Sequence, residues 1–223
     1  MKFLAVGDSF TYGDELEDIT LAWPYLLAEK TNFNIINLAK PASGNTRMIR
    51  YVIENINRFD VFIIVWSHFA RTEFADENGI YDIWPGCSPS PHKTQTSWRG
   101  DLIEYYSRHH NDDYLYRQYL INIILLQQYL KNNNKKYLML DAFGNHQDPR
   151  RRSTNNNDLI KQIDKDSFLG WPNESMMEWT NRAPQGPNGH FLEQGHEQVA
   201  NKIYEHIRYL GWVSLCRYKF YQR

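Results

Sequence analysis

The run Val61-Phe62-Ile63-Ile64-Val65 constrains the fold more than any other stretch of the chain. A strand with one wet face alternates apolar and polar residues. An unbroken apolar run reads instead as a strand buried on both faces, the habit of parallel sheets covered by helices. The shorter apolar run Phe3 to Val6 reads the same way, and Phe33 to Leu38 and Tyr137 to Leu140 read as two further strands. Between them lie helical patterns. Leu21 to Lys30 places Trp23, Leu26 and Leu27 on one face, and Asn45 to Ile56 does so with Met48, Ile49, Val52, Ile53 and Ile56. Asp113 to Leu130 is a strong helix, and Glu197 to Leu210 turns Val199, Ala200, Ile203, Ile207 and Leu210 inward. Strands alternating with helices predict a parallel sheet covered on both faces. The active site of such a sheet lies beyond the carboxyl ends of its strands.

The length of 223 residues suits one domain, 1–223, with an insertion at about 75–111. Ala75 to Arg99, rich in Pro, Gly, Ser and Thr, reads as loop. Asn145 to Asn157 is polar and basic and reads as an exposed loop. A net charge of -1 argues against a nucleic-acid partner. No apolar run approaches the ~20 residues of a membrane span, so no membrane partner is expected. Met1 to Gly7 turns polar too soon for a signal peptide, which predicts a cytoplasmic location. Cys87 and Cys216 show neither metal nor disulfide spacing. No G-x-G-x-x-G is present, and the adjacent His109-His110 cannot both face one ion from a helix, so neither cofactor nor metal is expected.

The chemistry-bearing residues follow the strands. Gly7-Asp8-Ser9-Phe10-Thr11-Tyr12-Gly13 leaves the first strand, where a serine on a strand-to-helix turn can expose its hydroxyl and aim its own N–H at the same spot. Alone, such a triplet is also an ordinary helix cap. Gly44, after the second strand, lets the backbone turn so that its N–H can face Ser9. Trp66-Ser67-His68-Phe69-Ala70-Arg71-Thr72-Glu73 follows the third strand, and its polar groups suit a side-chain oxyanion donor. Near the C-terminus, His190 sits on the loop Gly186-Pro187-Asn188-Gly189 and can act as a general base, whereas His196 opens the last helix and reads as a packing or capping residue.

In order and spacing these segments resemble the blocks of the SGNH/GDSL hydrolase family. Gly7 to Gly13 resembles its G-D-S-x-T-x-G block, Gly44 its second-block glycine, and Gly189-His190 through Gly195-His196 its last block. The resemblance spans Lys2 to about Leu210. It implies a three-layer α/β/α fold with a parallel, flavodoxin-like sheet of about five strands. It also implies a serine esterase: Ser9 attacks an acyl carbonyl, His190 moves the proton, and the N–H groups of Ser9 and Gly44 hold the oxyanion. Two positions depart from the family pattern. The third block, G-x-N-D, is replaced by Trp66-Ser67-His68-Phe69, so Ser67 or His68 is expected in place of the asparagine, with Ser67 favoured. This W-S-x-x-x-R-x-E form resembles phage-encoded members, for which a virion association would be natural. Three residues before His190 stands Pro187 instead of Asp, so Asp141 at the end of the fourth strand, or a backbone carbonyl, is expected to orient the imidazole. The substrate implied is a small acyl ester or an acylated glycan, cleaved by an esterase or carbohydrate O-deacetylase. The competing reading is a glycan-binding or structural virion protein that keeps the fold with weak or no turnover.

Overall fold

The computed structural model describes residues 1–77, 79–85, 87, 97–145 and 156–213. Its sheet is parallel and four-stranded, with β1 (Lys2–Val6), β2 (Asn34–Asn37), β3 (Val61–Trp66) and β6 (Lys136–Asp141) in the order β2-β1-β3-β6. A fifth position is reduced to one parallel bridge, Met139 to Phe168, closed by Met139 N–H on Ser167 O and Leu169 N–H on Met139 O. The helices are α1 (Ser9–Tyr12), α2 (Trp23–Thr31), α3 (Asn45–Glu54), α4 (Ser97–His109), α5 (Asp112–Asn132), α6 (Asn157–Ile160), α7 (Met176–Trp179) and α8 (Glu193–Tyr209).

Strand side chains alternate between two cores, because successive Cβ atoms point to opposite faces. Leu4, Val6, Phe62, Ile64 and Met139 pack with Met48 and Val52 of α3 and with Leu120 and Ile123 of α5. Phe3, Ala5, Ile63, Val65 and Leu140 pack with Trp23 and Leu27 of α2 and with Val199, Ala200 and Ile203 of α8. The result is the three-layer α/β/α arrangement predicted from the alternating patterns. Every side chain of β3 is buried, and each large one is worth about 1.5–3 kcal/mol relative to exposure. A one-residue slip of β3 would exchange its two faces and its carboxyl-end residues, so its register also fixes where Ser67 stands.

Two expectations are corrected here. Ala75 to Arg99 is not all loop: β4 (Thr72–Asp76) and β5 (Gly79–Ile83) form an antiparallel hairpin, and α4 begins at Ser97. β4 sets Thr72, Glu73 and Asp76 against only Phe74 and Ala75 and lies against α3, and β5 is a short run broken by Asp82, so their apolar signal is weak. Asn145 is not in an exposed loop but is buried, as is Asn156, because both lie where the chain leaves or re-enters the packed body. The rest of that expected loop, 146–155, and Cys216 lie outside the described residues. Cys87 is a free, buried thiol.

Candidate active site

The parallel strands end along one edge, and the segments that follow them meet there. After β1, Asp8 caps α1 by accepting the Phe10 N–H at 3.1 Å. Gly13 ends the single-turn helix at φ 96°, a conformation that costs glycine no Cβ clash. Ser9 is thereby the first helical residue, so its N–H has no acceptor within the helix. It is 5% exposed. Beneath it, Asp8 is fully buried, accepting from Ser67 Oγ at 2.6 Å and facing Arg71 Nη1 at 3.4 Å. Burial pushes the Asp8 carboxyl above its ordinary value, opposed by Arg71, the Ser67 hydroxyl, the Phe10 N–H and His190.

His190 stands over this turn. Its ring packs on Phe10, the neighbour of Ser9, with centroids 4.9 Å apart. Its Nδ1 lies 2.8 Å from Glu15 Oε2. The same carboxylate accepts the His190 N–H at 3.1 Å and, through Oε1, the Asn188 N–H at 2.8 Å and Nδ2 at 3.1 Å. Partial burial works to raise the Glu15 carboxyl, but these hydrogen bonds from Asn188 and His190 outweigh it and leave the group below its ordinary value. An ionised carboxylate can only accept, so Nδ1 is the donor of the pair, which in the neutral imidazole makes Nε2 the basic nitrogen. Glu15 holds a left-handed backbone at φ 69°, unusual for a residue with a side chain, and this aims it at the 186–190 loop. Among the described residues neither the Ser9 hydroxyl nor His190 Nε2 has a hydrogen-bond partner.

The other expected site residues are otherwise engaged. Ser67 is buried with its hydroxyl given to Asp8 and its N–H to Asn45 Oδ1 at 2.9 Å, so it is a brace under the loop and not an open donor. Asp141 accepts from Tyr119 Oη and, at 3.1 Å, from Asn145 Nδ2, so the carboxylate beside His190 is that of Glu15 and not that of Asp141. Gly44 directs its N–H at Asp82 Oδ1, 2.7 Å away, and Asp82 in turn pairs with Arg47 Nη2 at 2.7 Å. His68 keeps its Nδ1 on the Ala70 N–H at 3.2 Å. His196 does cap a helix, but a different one from its own. Its Nδ1 accepts the Trp23 N–H at 3.2 Å at the start of α2, where Ala22 offers no side-chain cap.

Glu15 escaped the sequence reading because family spacing pointed to the residues before His190. The available signal was its place, two residues past Gly13, on a loop at the same sheet edge as Ser9.

A cleft of about 310 Å³ opens beside the site, lined in part by His68, Arg71, Trp84, His110, Asp112 and Phe143. Phe143 meets Phe10 edge-on at 5.3 Å, which joins the cleft to the Ser9 turn.

A family model matches residues 13–217. The chain belongs to DUF6071, a family of unknown function. The DUF6071 match takes in Glu15, Gly44, Arg71 and His190, while Ser9 precedes its first residue. No curated protein matches this DUF6071 chain. Among solved structures it is similar to the psychrotrophic esterase EstA from Pseudoalteromonas sp. at 13% identity and a TM-score of 0.55, covering 94% of this chain and 97% of that one. It is also similar to a protein of Desulfitobacterium hafniense DCB-2 described as lipolytic and of the G-D-S-L family, at 13% identity and a TM-score of 0.50, covering 92% and 98%. A third is Axe2, an acetylxylan esterase from Geobacillus stearothermophilus, at 16% identity and a TM-score of 0.51, covering 92% and 93%. The DUF6071 chain therefore shares the fold of several esterases. Among its described residues no helix is long and apolar enough to cross a membrane.

Proposed function

We propose that this protein is an SGNH-type serine esterase whose triad is Ser9, His190 and Glu15. The observation that carries the reading is the Glu15 carboxylate on His190 Nδ1 at 2.8 Å, with the imidazole packed at a tilt on the residue next to Ser9. Glu15 holds the ring and its tautomer, so that Nε2 is the base. Ser9 Oγ attacks the acyl carbonyl carbon as its proton passes to Nε2. The C–O bond to the alcohol then breaks, and Nε2 returns the proton to the leaving oxygen. Water, activated by the same nitrogen, releases the acid and frees Ser9. Catalytic hydrogen bonds often close only when substrate binds, and Ser9 and His190 act in that way here.

The Ser9 N–H is the first oxyanion donor. The Gly44 N–H is the second once Asp82 withdraws from it. The substrate proposed is a small acyl ester or an acylated glycan, consistent with the fold shared with Axe2. The engaged Gly44 N–H also favours a second reading, a glycan-binding or structural protein with little turnover. Hydrolysis of p-nitrophenyl acetate separates the two. The esterase reading expects turnover by the wild-type protein and its loss in Ser9→Ala; equal rates in both proteins overturn it.

A further inference from the structure

We infer that the cleft beside Ser9 is a subsite for a carboxylate carried by the substrate, and that Arg71 is the residue that reads it. The inference rests on the esterase reading for its place in a reaction, but not for its binding chemistry. Arg71 is held as a fixed fork. Its N–H donates to His68 O at 2.9 Å and its carbonyl accepts the Asn45 N–H at 3.3 Å. Its guanidinium lies 5.1 Å from the ring of Trp84 and 5.1 Å from that of Phe143, so aromatic faces fix the group while its edges stay open. One nitrogen, Nη1, reaches Asp8 at 3.4 Å. Among the described residues Nε and Nη2 have no protein acceptor, although Arg71 lines the cleft and its side chain is 17% exposed.

Two parallel N–H donors on an immobilised guanidinium match the two oxygens of a carboxylate. The remaining wall does not oppose this. His68 and His110 are the other basic types, and the carboxylate there, Asp112, faces His110 Nε2 at 3.3 Å. Asp8 neutralises the inner end of Arg71 from a fully buried position and leaves the outer end to the ligand. A volume of about 310 Å³ gives room for one small ligand moiety. The substrates selected are esters in which the acyl or alcohol part bears a carboxylate a few atoms from the scissile bond.

Benzoate and its neutral isostere benzamide are the probes, titrated by calorimetry into wild type, Arg71→Lys, Arg71→Gln and Ser9→Ala. Wild type is expected to bind benzoate at least about tenfold more tightly than benzamide, the contrast of a charge-assisted pair with a neutral one. Arg71→Gln is expected to erase that preference, and Arg71→Lys, which keeps the charge but loses the fork, to retain part of it. Ser9→Ala is expected to bind benzoate as wild type does, so a failure of the nucleophile assignment leaves this test standing. Equal binding of the two probes to wild type, absence of benzoate binding, or an undiminished preference in a folded Arg71→Gln overturns the inference.

Discussion

Glu15 and His190 stand 175 residues apart in sequence and 2.8 Å apart in space, joined by a carboxylate oxygen on Nδ1. The same carboxylate takes the His190 and Asn188 N–H groups, so it fixes the loop as well as the ring. The carboxylate that meets His190 comes from the loop that follows the Ser9 turn.

Glu15→Gln therefore tests orientation with little change in size. The amide can donate to Nδ1 and turn the imidazole to the wrong tautomer, leaving Nε2 protonated. Loss of the acid in a comparable triad costs about 10⁴ in kcat, and a fall of about 10²-fold or more is expected here with p-nitrophenyl acetate. An activity close to that of wild type would remove Glu15 from the mechanism.

Gly186 offers a gentler perturbation of the same contact. A Cβ there would lie 2.7 Å from Glu15 Cδ and 2.8 Å from Oε1. Gly186→Ala requires the Glu15 side chain or the loop to shift, and a shifted carboxylate loosens its contact with His190. The expected result is a drop in kcat of about tenfold or more, since misplacing a catalytic contact by about 1 Å can cost 10²-fold, with a melting temperature near that of wild type. Unchanged turnover would show that the carboxylate has room to stay.

The layers of the fold were legible because burial writes itself as pattern. Val61 to Trp66 reads as apolar throughout and is buried throughout. The helices at Trp23, Asn45, Asp112 and Glu193 bury most of the stripe that marked them, although Ile53, expected inward, is exposed and Leu26, Ile49 and Leu210 are half-buried at the margins of the core. The hairpin was not legible by pattern: Glu73, Asp76 and Asp82 interrupt its strands, and Glu73 and Asp82 are spent on Arg47 and Arg50 instead of on a core. The sequence Asn78-Gly79 was the cue to it, since that pair is a strong hairpin signal. In the site, Ser9 and His190 could be proposed from local motifs. The partners of Ser67, Asp141 and Gly44 could not, because each is supplied by a side chain from another element.

Asp82 is one such partner, and its removal has two opposed effects. Its carboxylate pairs with Arg47, which is 6% exposed, and also takes the Gly44 N–H. Asp82→Ala leaves Arg47 with Glu73 at 3.3 Å, and breaking one arm of a buried pair costs about 3–5 kcal/mol where no other partner remains. A smaller loss, about 2 kcal/mol in urea unfolding, is expected because Glu73 stays. The freed Gly44 N–H should at the same time raise kcat, since one oxyanion donor is worth about 10²-fold when fully engaged. A variant that loses stability without gaining rate would restrict Asp82 to a structural role and take Gly44 out of the oxyanion site.

His196 gives a prediction about stability and pH. It is 1% exposed, and burial, reinforced by His190, lowers its pKa from 6.5 to about 3. The folded protein keeps it neutral, with Nδ1 accepting the Trp23 N–H. The unfolded chain takes up a proton below about pH 6.5. A histidine lowered in the folded state contributes stability that is fully present above the unfolded pKa. That contribution is lost as pH falls toward the folded one, at up to about 1.4 kcal/mol per pH unit. Between pH 6 and pH 4.5 the loss from this group alone is about 2 kcal/mol. Asp8, raised in the folded state, works in the opposite direction, and Glu15, lowered, works in the same direction at more acid pH. Both are unchanged in His196→Asn, whose side-chain oxygen can still take the Trp23 N–H. Urea unfolding of the two proteins from pH 7 to pH 4.5 should therefore show a steeper decline for wild type, by close to one proton. Parallel curves would mean that the imidazole is protonated inside the fold at ordinary acidity, and its role as an acceptor for α2 would be lost.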